Sequence, residues 1–259
     1  MESLNLIYYS PTGTTKKIIK EIASNLGIEE ISEYNITKSD TEINPKTEDN
    51  SLTIIGLPVY SGRLPQSAIE SLKKFKSNLS PAVIIVVYGN RDFDDSLLEL
   101  EEIMSLGGFH IIAAGAFIGE HSFSSLEKPI AKDRPDQQDM EKCHDFSQMI
   151  QNKINSKATE ISVPGNFPYK ELKKLPVDTH PETDPNKCTN CSHCIEICPT
   201  SAITIEQTII TNGEKCIWCF ACIKGCPSEA RIFDHPNINA IKDKLFLNCS
   251  TRREPEFFI

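Results

Sequence analysis

The chain lacks any long hydrophobic run. Among its 259 residues the longest purely apolar stretch is Ala82–Val87, far short of the roughly 20 residues that cross a bilayer, so no membrane span is expected. Its first residues, Met1-Glu2-Ser3-Leu4-Asn5, have neither the basic nor the apolar region of a secretory signal, and a cytoplasmic protein is expected. Tryptophan is nearly missing, with Trp218 alone. Basic charge is in deficit: 27 Lys and Arg face 36 Asp and Glu, net −9, divided as −7 over residues 1–157 and −2 over the remainder. No basic stripe is present to track a phosphate backbone, so a nucleic-acid partner is not expected. An acidic surface serves solubility, and it also suits a partner with a basic docking patch. No G-x-G-x-x-G dinucleotide fingerprint occurs.

Cysteine, by contrast, is abundant. Eight of the ten fall between residues 188 and 226, as Cys188, Cys191, Cys194, Cys198-Pro199 and then Cys216, Cys219, Cys222, Cys226-Pro227. That is C-x2-C-x2-C-x3-C-P written twice, 28 residues apart. Each run offers three thiolates to one iron–sulfur cube and a fourth to the other. This assigns Cys188, Cys191, Cys194 and Cys226 to one cluster, and Cys216, Cys219, Cys222 and Cys198 to a second. Soft thiolates in fours also suit zinc, but the repeat and the prolines favour iron–sulfur. In a reducing compartment clustered cysteines are metal ligands rather than disulfides. The segment resembles bacterial 2[4Fe-4S] ferredoxins. Ile217, Trp218 and Phe220 inside the second run are expected to shield a cluster from water. His193 reads as a surface residue. Cys143 and Cys249 lie outside the pattern and read as small buried hydrophobes.

Residues 1–157 alternate in a βα rhythm. Strands are expected at Leu4–Tyr9, Glu29–Ile36, Ser51–Gly56, Ala82–Tyr88 and Phe109–Ile118. Helices are expected at Thr14–Leu26, Pro65–Phe75, Asp94–Leu106 and Arg134–Ile154. Five strands with helices between them predict an α/β domain with a doubly wound, five-stranded parallel sheet. Residues 158–183 carry prolines without periodicity and read as a semi-rigid linker. A small α+β cluster-binding domain is expected over 184–235, with a hairpin of Ile203–Ile205 and Thr208–Ile210. The tail, 236–259, ends in Phe257-Phe258-Ile259 and is expected to pack back onto the body.

The first strand runs directly into Ser10-Pro11-Thr12-Gly13-Thr14-Thr15 and a helix. Such a turn exposes unpaired N–H groups at the positive helix end, which suits a phosphate. The alternative is an ordinary Ser/Thr-rich helix cap. The loop has no Lys and is not a Walker A loop. In an open α/β sheet, ligands bind outside the carboxyl ends of the strands at the switch point. Two further strand ends carry Pro58-Val59-Tyr60-Ser61-Gly62 and Tyr88-Gly89-Asn90-Arg91-Asp92-Phe93-Asp94, loops that combine turns, an aromatic ring and polar groups. On these residues 1–157 resembles flavodoxin. The resemblance implies FMN, with its phosphate on Ser10, Thr12, Gly13, Thr14 and Thr15. It also implies that Pro58, Val59, Tyr60, Ser61, Gly62, Tyr88, Gly89, Asn90, Arg91, Phe93 and Asp94 flank the flavin. The fourth-strand loop departs from ordinary flavodoxin in lacking a Trp. Glu120-His121-Ser122-Phe123 follows the fifth strand on the same edge, where His121 is a candidate proton donor to reduced flavin or else a capping histidine. Residues 119–133 read as a lid or a plain loop.

The order of the two domains looks like the flavodoxin–ferredoxin fusion family of anaerobic bacteria. The resemblance implies an electron-transfer protein linking FMN to two [4Fe-4S] clusters and to a redox protein partner. A flavin-dependent reductase of a quinone, nitro compound or free flavin is the second reading, and a cluster-based sensor or assembly factor the third. An open flavin face favours the reductase; a flavin edge turned toward the clusters favours the carrier. If the linker holds the cofactors apart, a homodimer is expected to bring one subunit's cluster to the other's flavin.

Overall fold

The computed structural model describes residues 1–38, 50–155 and 161–259; the boundary expected at 157/158 lies outside them. Five strands, β1 (Ser3–Tyr8), β2 (Glu30–Asn35), β3 (Ser51–Pro58), β4 (Pro81–Tyr88) and β5 (His110–Ile118), pair in parallel. Helices α1 (Thr14–Ser24), α2 (Gln66–Leu72), α3 (Ser96–Leu106) and α4 (Gln137–Asn155) connect and cover them. Side chains alternate across a strand. Leu4 and Leu6 of β1 therefore join Ile18, Ile22, Phe146 and Ile150 beneath α1 and α4. Ile7 joins Leu97, Leu100 and Met104 beneath α3 on the opposite face. Both faces are covered, which is why β3 and β4 read as continuous apolar runs.

The sheet has six strands, not five. Its order is β10-β5-β4-β3-β1-β2, and β10 (Glu256–Phe258) pairs antiparallel with β5. The fold remains α/β and mostly parallel, with an edge strand supplied by the far end of the chain. Gly115 makes room for the rings of Phe117 and Phe146, since a Cβ there would lie 2.8 Å from Phe117 and 3.3 Å from Phe146. Phe257, the β10 partner of Gly115, packs on those two rings, 4.7 Å from Phe146 and 5.4 Å from Phe117. Such an edge strand covers hydrogen-bonding groups that β5 would otherwise expose.

The C-terminal part is small and irregular. Strands β6 (Glu182–Thr183) and β9 (Arg231–Ile232) pair, as do β7 (Ile203–Ile205) and β8 (Ile209–Thr211). The single turns α5 (His193–Glu196) and α6 (Ala221–Lys224) follow one another in the two halves. Helix α7 (Pro236–Asn248) then runs back toward the large sheet. It was not anticipated, although Pro236 at its first turn and the His235 cap, whose Nδ1 accepts from Asn237 N at 3.2 Å, are helix-start signals.

The segment before the cysteines is strapped to the first domain. The buried Asp95 carboxylate accepts from the backbone N–H groups of Asn166 (2.8 Å) and Lys170 (2.6 Å). Burial pushes this carboxyl up, but the donated bonds outweigh it and the pKa is lowered. Arg63 donates to Lys170 O at 2.7 Å and lies over the Tyr169 ring.

Candidate cofactor sites

The turn after β1 leads through Gly13 into the N-terminus of α1. Gly13 caps α1 with φ +82°, a left-handed conformation that glycine adopts without strain. The cap residue itself has no side chain to offer, and no acidic residue stands in the first turn. Lys16 N donates to Ser10 Oγ at 3.1 Å, and Ser10 N to Thr37 Oγ1 at 2.9 Å, which fixes the loop.

Beside this loop a cavity of about 540 Å³ opens at the carboxyl ends of the strands, within the size range of cofactor sites. Of the residues named from the loops, Ser10, Thr12, Thr14, Thr15, Pro58, Val59, Tyr60, Ser61, Tyr88, Gly89 and Arg91 line it. Five expected residues do not. Gly13 supplies the turn. Gly62 is closed off by Asp94, since a Cβ there would lie 2.0 Å from Asp94 Oδ2. Asp94 pairs with Arg91 and Lys170. Phe93 is buried in the core, its ring 5.4 Å from Tyr88. Asn90 serves the tail: Nδ2 donates to Cys249 O (2.6 Å) and Thr251 O (2.8 Å), and Oδ1 accepts from Arg253 N (3.2 Å).

The remaining wall comes from elsewhere in the chain. Glu120, His121, Ser122 and Phe123 line one side, Leu172–Leu175 another, and Ile241 and Leu245 of α7 a third. Ile217, Trp218 and Cys219 of the second cysteine run face the loops of the first domain. Trp218 is held there by a bond from Nε1 to Thr179 O at 2.7 Å. The fourth-strand loop has no tryptophan, and the chain's one Trp reaches the cavity from the cysteine-rich part. No local signal in the sequence could place it there. Tyr60 is half-buried; burial raises its phenol well above the ordinary range, and Cys219 adds to the shift. Lys224 bonds Glu120 at 3.1 Å, which pairs the carboxylate that borders the cavity.

His121 is half-buried and its pKa falls to about 4, through burial first and then Lys224 and Arg91. The ring is therefore neutral at pH 7. Nδ1 accepts from Phe123 N at 3.0 Å, so the ring proton sits on Nε2. It is a hydrogen-bond donor there and not an imidazolium acid.

The cysteines gather in two sets around separate small voids. Cys188, Cys191, Cys194 and Cys226 rim one; Cys198, Cys216, Cys219 and Cys222 rim the other. Among the described residues no three or more His, Cys, Asp or Glu converge on a point that would hold a single metal ion. Four sulfurs rimming a void suit a cube better than one ion. The halves repeat in detail: Ala202 N donates to Cys198 Sγ at 3.2 Å, and Ala230 N to Cys226 Sγ at 3.3 Å. Hydrogen bonds to sulfur are among the determinants of cluster potential. Cys191 is exposed, whereas Cys219 is buried against the cavity. Of the two cysteines outside the sets, Cys143 is buried under α1 with its thiol raised to about 12, chiefly by burial, and Cys249 is buried where the tail turns.

Both parts match known families. Residues 5–96 match the flavodoxin domain, and residues 180–227 match the 4Fe-4S dicluster domain. The solved structures similar to the chain include oxidised flavodoxin 1 from Bacillus cereus, 17% identical, covering 60% of this chain and 99% of that one, TM-score 0.41. Fusobacterium nucleatum flavodoxin bound to flavin mononucleotide is 15% identical over 59% and 99%, TM-score 0.40. Rubredoxin oxygen:oxidoreductase from Desulfovibrio gigas is 14% identical over 60% and 36%, TM-score 0.42. No curated protein matches the chain. A flavodoxin domain joined to a 4Fe-4S dicluster domain defines a flavo-iron–sulfur protein of the electron-transfer class. The order of the two domains makes this chain a flavodoxin–ferredoxin fusion. No helix among the described residues is long and apolar enough to cross a membrane.

Proposed function

We propose that the chain carries electrons between a redox protein partner and FMN by way of two [4Fe-4S] clusters. Residues 1–157 form the flavin domain and 184–235 the cluster module. Residues 158–183 connect them and 236–259 fold back across both. The first cluster is held by Cys188, Cys191, Cys194 and Cys226, the second by Cys198, Cys216, Cys219 and Cys222. Bound FMN supplies one- or two-electron chemistry and each cluster one-electron chemistry, so the fusion joins the two in one chain.

The chain's own residues arrange this. The open N-terminus of α1, with Thr12, Thr14 and Thr15, takes the phosphate. Tyr60 and Trp218 bound the flat ring from two domains. His121 offers Nε2–H to it as a neutral donor. Arg91 and the Glu120–Lys224 pair set the charge at the rim. The thiolate set that contains Cys219 faces the flavin cavity, and the set that contains the exposed Cys191 faces solvent. An external partner therefore meets the Cys191 side first. One chain suffices for the path, with no need of a second subunit. The acidic surface suits a partner with a basic patch, in the cytoplasm, where thiols stay reduced.

The observation that carries this reading is Cys219 on the wall of the cavity. With Cys219 read as a cluster ligand, that wall is taken up where a reductase of small acceptors would need an open flavin face, which supports the carrier. The test is anaerobic purification with assay of iron, sulfide and FMN, followed by a reductive titration read by absorption and EPR. Iron for two cubes and one FMN, reduced in coupled steps, is the expected result. Clusters that reduce with no exchange with flavin overturn it.

A further inference from the structure

Arg231 is the most deeply buried charge in the cysteine-rich part, at 3% exposure. Its oxygen partners are all neutral: Thr183 Oγ1 at 2.5 Å, Thr211 Oγ1 at 2.5 Å and Pro181 O at 3.1 Å. Its Nε has no partner at all. The ion-paired arginines among the described residues are Arg63, Arg91, Arg134, Arg252 and Arg253; Arg231 is not one of them. A buried charge is ordinarily compensated by an opposite one, and arginine does not shed its proton to escape the cost.

The opposite charge is supplied by the sites on either side. Arg231 lines the void of the Cys188 set. Its guanidinium also reaches Cys222 Sγ, 4.0 Å away in the other set. Cys222 belongs to one set and the Cys188 void to the other, so the guanidinium stands beside both. Cys198-Pro199-Thr200-Ser201-Ala202-Ile203 aligns with Cys226-Pro227-Ser228-Glu229-Ala230-Arg231, which sets Ile203 against Arg231. The first half puts a buried isoleucine where the second puts a buried cation.

We propose that Arg231 is the shared counter-charge of the two clusters and raises the reduction potential of both. The proposal rests on the two-cluster reading above. A cube held by four thiolates is anionic, and more so when reduced, so a fixed cation beside it favours the reduced state. Placed between two such cubes, one cation acts on both. It also accounts for a buried guanidinium with no carboxylate.

The test uses the full-length holoprotein, purified anaerobically, as wild type and as Arg231→Met, Arg231→Gln and Arg231→Lys. Cluster midpoints are read by EPR-monitored titration and iron by assay. Met and Gln should move both midpoints to more negative values. The expected size is at least about tenfold in the oxidised-to-reduced ratio, which is about 59 mV for one electron. Lys should leave both near wild type. Loss of clusters in Met and Gln with retention in Lys also supports the counter-charge. The proposal is overturned by unmoved midpoints in Met and Gln, by movement of one cluster only, or by equal iron loss in all three variants. A wild type without clusters would instead sink the underlying two-cluster reading.

Discussion

The ring of Phe123, in the loop after β5, lies 4.4 Å from the ring of Phe220 in the second cysteine run. Phe220 in turn lies 5.5 Å from Phe233. These contacts clasp the cluster module to the flavin domain beside the cavity both of them line. Phe123→Ala should cost about 0.5–1.5 kcal/mol for the aromatic pair, plus lost area. It should also slow electron exchange between clusters and flavin more than it lowers iron or flavin content. Unfolding midpoints and stopped-flow reduction of the variant separate the two effects; an unchanged exchange rate would show that the clasp does not set the distance.

Cys219→Ser and Cys188→Ser should divide the relay. Each variant should lose about half of the iron, because each removes a ligand from a different set. Only Cys219→Ser should uncouple the flavin from the remaining cluster, since Cys219 lines the cavity and Cys188 does not. Iron assay with parallel reductive titrations decides it, and flavin reduction lost equally in both would contradict the assigned order.

His121 makes stability depend on pH in a defined window. The folded ring has its pKa lowered to about 4 from the ordinary 6.5. Above pH 6.5 both folded and unfolded chains hold it neutral, and it contributes no pH dependence. As pH falls from about 6.5 toward about 4, the unfolded chain takes up the proton first, so stability falls. His121→Gln should remove that component, so that wild type loses more stability than the variant between pH 7 and pH 5. Urea midpoints at the two pH values give the comparison.

Asn90 stands at φ +63°, so Asn90→Gly keeps the backbone comfortable and removes only its side-chain bonds to Cys249, Thr251 and Arg253. A loss of about 1–3 kcal/mol is expected for the buried groups left unpaired. Amide exchange should accelerate at Glu256–Phe258 and at their partners Ala114–Ala116. Exchange unchanged at β10 would mean that Phe257 alone secures the tail.

Thr12→Asp tests the phosphate loop. A carboxylate beside the α1 N-terminus competes with a phosphate for the same N–H groups and positive helix end. Thr12 is exposed, so the apo fold should be unaffected, while FMN affinity falls by about tenfold or more, or ~1.4 kcal/mol. Titration of flavin fluorescence reads the affinity and circular dichroism the fold.

Much of this protein is local and therefore legible in its sequence. Apolar runs such as Ala82–Val87 mark strands, because a strand buried on both faces has no polar alternation to keep. The Ile18, Ile19, Ile22 spacing marks α1, since those positions share one helix face. The Cys spacing foretells how the cysteines divide between two voids, with Cys226 joining the first run and Cys198 the second. Side-chain direction is not legible in this way. Asn90, Phe93 and Asp94 stand in the right loop, but a loop's position does not say which way its side chains turn. Asn90 turns to a tail more than 150 residues away, as the bond to Cys249 records.

The sequence by itself determined the two domains, the parallel strands and the eight cysteines, because each follows from spacing within a short segment. Only the tertiary structure decided that β10 completes the sheet and that Trp218 and Cys219 close the cavity. It alone brought Arg231 into reach of both cysteine sets. These are contacts between segments far apart in the chain. They depend on how the linker and α7 lay the module over the strand ends, and no local pattern encodes that.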